Sequence, residues 1–184
     1  MDIYKLKFTR LQNEIFRLLC IMTGKQINQR NIAEVLEVSP TAVSKALTDL
    51  EKENLISVVR DERMNLNLVE LNRENPSVFG LKRVENLKMI YESGIVRYLD
   101  DNFPDAVIIL FGSYSLGEDT FDSDIDIAVI GIKEKTIGTE KYDKILRKEI
   151  RIDFYEDFNQ INKNLKGNIF NGIVLSGRII LWFH

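Results

Sequence analysis

The stretch FGSYSLGEDTFDSDIDIAV, residues 111–129, decides how the second half of this chain folds. It is entered by an apolar run, Ala106 to Phe111, that ends in Gly112 and Ser113, the pattern of a buried strand feeding a tight turn. Beyond ten residues that follow Ser113, the run Asp124-Ile125-Asp126-Ile127 alternates acid with aliphatic. Strand side chains point alternately to opposite faces, so Asp124 and Asp126 are expected on one face, about 7 Å apart, with Ile125 and Ile127 in the core. A carboxylate pair of this kind suits a divalent cation. A further alternating stretch, Glu149 to Tyr155, sets Asp153 between Ile152 and Phe154, facing the same way if the strands are neighbours. Three acids in one place repel each other, and a cation such as Mg²⁺ offsets that while neutralising phosphates.

The spacing of Gly112-Ser113, ten residues and Asp-x-Asp resembles the signature of DNA polymerase beta superfamily nucleotidyltransferases. The resemblance runs over residues 104–184, and the closing stretch LKGNIFNGIVLSGRIILWF is similar to the last helix and strand of minimal, antitoxin-like members. It implies that Gly112 and Ser113 hold the phosphates of a nucleoside triphosphate, ATP as substrate. It also implies that Asp124 and Asp126 bind Mg²⁺, two ions in all, and that Asp153, the third metal carboxylate, helps activate the attacking hydroxyl. A partner toxin protein is the implied acceptor. The chain departs from the pattern at Leu116, where many minimal members carry arginine. Arg147, Lys148 or Arg151 could supply the missing charge, though their spacing assigns none of them.

Toward the N-terminus, Leu11, Ile15, Phe16, Leu18, Leu19 and Met22 recur at helical spacing, and Gln29 to Leu36 repeats the signal. After the polar turn Glu37 to Ser39, Ser39 is placed to cap and Pro40 to begin a third helix. That helix puts Val43, Ala46, Leu47 and Leu50 on one face and Thr41, Ser44, Lys45 and Thr48 on the other. Small hydroxyls with one lysine suit the major groove of double-stranded DNA. Two β-type runs, Leu55 to Arg60 and Asn65 to Leu71, flank the polar DERM and predict a hairpin with Arg60 and Arg63 on or near its wing. Three helices and a hairpin make a winged helix, and residues 8–72 resemble the helix-turn-helix of bacterial and archaeal winged-helix regulators. Such regulators usually bind paired half-sites, which points to a homodimer.

Between Pro76 and Phe103, Leu81, Val84, Leu87, Tyr91, Ile95, Tyr98 and Leu99 keep helical period, predicting one long linking helix that Gly80 and Gly94 could bend. The expected architecture is therefore α+β. A winged helix over 1–75 is followed by a linking helix over 76–103 and a nucleotidyltransferase over 104–184, with a small mixed sheet and flanking helices.

Composition narrows the chemistry. The 184 residues are 45% hydrophobic, as in a folded chain, and their formal charge of −3 leaves any DNA contact to a local surface. The only cysteine, Cys20, lies in an apolar stretch and the only histidine is His184, which excludes disulfides and Cys/His zinc sites. The opening MDIYKLKFTR lacks a signal-peptide pattern and no run is long enough to span a bilayer, so a cytoplasmic protein without membrane contact is expected. Two functions fit: transfer of a nucleotide to a hydroxyl, or DNA-binding regulation in which the transferase domain only senses nucleotide or partner.

Overall fold

The computed structural model describes residues 8–62 and 66–179. The chain forms two compact units that divide between Lys82 and Arg83.

In the first unit, α1 (Arg10–Ile21) opens with a reciprocal cap: Thr9 Oγ1 accepts from Gln12 N–H while Gln12 Oε1 accepts from Thr9 N–H. β1 (Ile27–Asn28) leads directly into α2 (Gln29–Val35), and Asn28 caps that helix. α3 (Pro40–Lys52) starts as its sequence dictates, with Ser39 accepting from Ala42 N–H at 3.2 Å and Pro40 in the first turn. Ile15, Leu19, Ile32, Val43 and Leu50 fill the core between these helices. β2 (Ile56–Asp61) and β3 (Leu66–Leu71) pair antiparallel from Ile56↔Leu71 to Asp61↔Leu66. β1 adds to the free side of β3, giving the sheet order β1-β3-β2. The winged helix therefore has a third, two-residue strand beyond the predicted hairpin.

The expected single linking helix is two helices. α4 (Pro76–Ser93) and α5 (Ile95–Asn102) are separated by Gly94, which adopts φ +83°. A left-handed residue turns the backbone out of the helix, and glycine takes that conformation without steric cost. Ser93 fixes the corner, its hydroxyl donating to Ile90 O at 2.7 Å and accepting from Ile95 N–H at 3.2 Å. The apolar spacing continues through the break because Ile90, Ile95 and Leu99 all enter the second core.

The second unit is built on a four-stranded mixed sheet of order β6-β5-β4-β7. β4 (Val107–Phe111) lies antiparallel to both β5 (Ile125–Ile130) and β7 (Ile173–Ser176), while β6 (Ile150–Tyr155) runs parallel to β5. The turn expected after Phe111 is a short helix, α6 (Gly112–Leu116). α7 (Glu140–Leu146) lies in the crossover from β5 to β6, and α8 (Lys163–Phe170) precedes β7. One face of the sheet buries Ile108, Leu110, Ile125, Ile127 and Val129, and the other buries Ile109, Phe111, Ala128 and Ile130. A sheet buried on both faces leaves polar side chains room near strand ends and along edge strands: Asp124 and Asp126 sit at the start of β5, and Asp153 lies midway along the edge strand β6.

Candidate active site and nucleic-acid interface

Asp126 is the second residue of β5, paired with Phe111 at the end of β4 and with Arg151 in β6. Its neighbours Ile125 and Ile127 are fully buried, as alternation required, while Asp126 itself is half-buried. Asp124 lies just ahead of the strand, also half-buried, and Asp153 is exposed in β6 opposite Ala128. In the parallel register Asp126 and Asp153 share a face of the sheet on adjacent strands.

Burial pushes the Asp126 carboxyl above the usual carboxylate range, and repulsion from Asp124 and then Asp153 adds to the rise. The Arg151 guanidinium opposes it. Arg151 Nη1 is 2.9 Å from Asp124 Oδ2, holding Asp124 in an ion pair. Among the described residues no group of three acidic, histidine or cysteine side chains forms a ready metal cage. The three aspartates are thus electrostatic neighbours rather than a closed cluster.

Gly112, the first residue of α6, adopts φ +72°, and a Cβ built there would collide with Asp126 Oδ2. The glycine therefore brings bare backbone against the carboxylate. Ser113 follows, half-buried, and Ser115 Oγ donates to Gly112 O at 2.8 Å, bracing the turn. Leu116 is 40% exposed at the end of the same helix. Of the three nearby cations, Arg151 alone reaches the aspartates. Arg147 is an exposed residue with φ +56° at the end of α7, and Lys148 is buried. Tyr155, on the same side of β6 as Asp153, has its hydroxyl pKa raised by burial and by that carboxylate.

In the first unit Thr41, Ser44, Lys45 and Thr48 are all exposed on α3, opposite the buried Val43, Ala46, Leu47 and Leu50. The Thr48 hydroxyl donates to Ser44 O at 3.0 Å, so it presents its methyl and a spare acceptor outward. Arg60 is exposed near the end of β2, whereas Arg63 lies outside the described residues. Arg60 lines a groove with Gln29, Arg30, Pro40, Leu66 and Asn67, so α2, α3 and the wing meet at one polar surface. Gln29 Nε2 donates to Pro40 O at 3.1 Å and Gln29 Oε1 accepts from Asn67 Nδ2 at 3.5 Å, tying the start of α2 to both. Gln29, Arg30 and Asn67 were not singled out by sequence, because each looks like an ordinary exposed polar residue until the strands pair.

A family profile described as "Nucleotidyltransferase domain" matches residues 92–175, and one described as "MarR family" matches residues 12–63. A MarR-type winged helix and a nucleotidyltransferase domain share this chain. The transferase profile spans α5 to β7 and contains Gly112, Asp124, Asp126 and Asp153. No curated protein sequence matched. Among solved structures, the adhesin competence repressor AdcR from Streptococcus pyogenes is 20% identical over 53% of this chain and 69% of its own, with a TM-score of 0.42. The zinc-responsive MarR family member ZitR of Lactococcus lactis is 27% identical over 54% of this chain and 66% of its own, at 0.40. S. aureus MepR in a DNA complex is 18% identical over 53% and 79%, at 0.39. No helix among the described residues is long and apolar enough to cross a membrane.

Proposed function

We propose that the transferase domain moves AMP, or another nucleoside monophosphate, from a triphosphate to a hydroxyl, and that the MarR-type winged helix binds double-stranded DNA. The observation that carries the first half is Asp126, a half-buried carboxylate crowded by Asp124 and Asp153 beneath the bare backbone of Gly112. The donor set fits Mg²⁺: it is all oxygen, and the repulsion that adds to burial in raising the Asp126 pKa is what a bound cation relieves. Asp124 and Asp126 would hold the metal, with Asp153 completing the set, and Mg²⁺ would supply charge neutralisation at the phosphates.

The remaining chemistry belongs to the chain. Gly112 and Ser113 receive the phosphates through their backbone, which the glycine, lacking a Cβ, leaves bare against the Asp126 carboxylate. Arg151, paired with Asp124 in the free protein, carries the cation that Leu116 does not, and can turn to the triphosphate when Asp124 takes another partner. Asp153, exposed and beside the pair, accepts the proton of the attacking hydroxyl. The hydroxyl oxygen then bonds to the α-phosphorus as the bond to the β-phosphate oxygen breaks, and pyrophosphate leaves. By its resemblance to minimal antitoxin-like members, the acceptor is a hydroxyl of a partner toxin; as for winged-helix regulators on paired half-sites, the protein works as a homodimer on DNA, in the cytoplasm.

Purified protein incubated with labelled ATP and Mg²⁺, with and without the product of the adjacent reading frame, tests this. Label should move onto protein and be lost at least a hundredfold in an Asp124→Ala/Asp126→Ala variant that still binds DNA. A second reading rests on the exposed Leu116, an apolar side chain where a phosphate-binding arginine stands in many relatives. On that reading nucleotide binds without turnover, and the winged helix alone is the effector. Nucleotide binding with no label transfer to any protein would favour it.

A further inference from the structure

Seven residues, Gly117 to Ser123, join α6 to Asp124 with neither helix nor strand among them. A connection of this kind is ordinarily the mobile part of a domain. Here it is held from beneath by Lys148, a lysine whose side chain is only 3% exposed. Its ammonium donates to three backbone carbonyls of that segment: Thr120, Phe121 at 3.3 Å and Ser123 at 3.2 Å. Asp119, 1% exposed, supplies the opposite charge at 3.4 Å. Asn86 of α4 completes the cluster, its Nδ2 donating to Asp119 Oδ1 at 2.7 Å and to Tyr114 O in α6 at 2.9 Å. The residue after Lys148 continues the attachment, since Glu149 O accepts from Ile125 N–H at 2.8 Å.

A buried ion pair of this kind is seldom a net source of stability, because desolvating both charges offsets most of their attraction. What the ammonium provides is geometric: three donors that converge on three carbonyls within four residues and fix a backbone with no ladder of its own. That backbone ends at Asp124, and the strand that Lys148 precedes carries Asp153. We propose that Lys148 is a positioning residue for Asp124, pinning the Gly117–Ser123 segment to the head of β6 so that the carboxylates on β5 and β6 keep a fixed relation. The link to metal rests on the function proposed above; the pinning of the segment does not.

The test is the variant Lys148→Met/Asp119→Leu, which removes both charges together and leaves an apolar pair of similar volume. Two quantities are measured on the full chain: Mn²⁺ affinity by titration, and amide hydrogen exchange residue by residue. The expected result is a lowered thermal midpoint, since three carbonyls and Asn86 Nδ2 lose a partner, with exchange at least tenfold faster confined to residues 117–126, and Mn²⁺ affinity weakened about tenfold, the lower end for loss of an outer support. Unchanged exchange in that segment, or faster exchange spread evenly through the second unit, overturns the proposal. If the parent itself binds no Mn²⁺, the transferase reading fails while the exchange arm still decides the pinning. Should the double variant not fold, exchange in the parent decides it: the Ser123 and Ile125 amides must be as protected as those of Ile127 and Val129, and fast exchange at either overturns the proposal.

Discussion

At Asp126 burial and two like charges act together, and only Arg151 acts against them. Its pKa is raised in the folded state, so the proton is held more tightly folded than unfolded. The resulting stability is fully present below the unfolded carboxyl pKa and is lost as pH rises through the folded value. Without metal, the ionised form of Asp126 therefore weakens the fold. An Asp126→Asn variant in chelator-treated buffer should melt above the parent at pH 7. The gap should close as the pH falls below the usual carboxylate range, as followed by thermal denaturation across pH. Gly112 makes the opposite case, a residue that tolerates no side chain. Gly112→Ala forces φ +72° on alanine and drives Cβ into Asp126. It should cost about 1–3 kcal/mol by urea denaturation and lower nucleotide affinity in the same variant.

Among the elements, α3 is the one whose surface carries a separate prediction. Lys45→Ala, exposed and away from the core, should leave stability unchanged but weaken duplex binding across all sequences and reduce the salt slope of the binding constant by about one, read by anisotropy at several salt concentrations. The helices of the first unit were legible because each buries one face: Val43, Ala46, Leu47 and Leu50 write the period of α3 into the sequence, and Ser39-Pro40 marks its start. β1 was not legible, since two residues cannot display alternation and their partner Leu68-Val69 lies some forty positions on. The corner at Gly94 was hidden for a different reason: both flanking helices bury aliphatics at compatible spacing, so the pattern runs through a break that only the glycine's φ reveals. α7 was missed because its sequence, EKYDKIL, buries one residue alone and so carries almost no period. Within the site, alternation placed Asp126 correctly against its buried neighbours. Lys148 stood out in the sequence only as a cation for the phosphates; its burial was not legible, because a lysine in isolation reads as surface and its carbonyl partners are common to every residue type.

For the molecule as a whole, the arrangement of β5 and β6 has a practical reach. Two parallel neighbours must be joined by a crossover, and this one leaves β5 at Ile130, the end of the strand away from Asp124 and Asp126. Lys133 to Thr136 are exposed within it, while Ile132 and Ile137 on either side rest against the core. The register of β5 on β6 is set by the strands themselves, so the length of that surface connection is free to vary. A short peptide epitope inserted after Glu134 should leave the thermal midpoint within about 2 °C of the parent. Label transfer should be retained alongside it, whereas the same insertion after Glu118 should abolish transfer. The crossover is thus the natural handle of the protein, the place to attach a fluorophore or tether it to a surface without disturbing what the aspartates do.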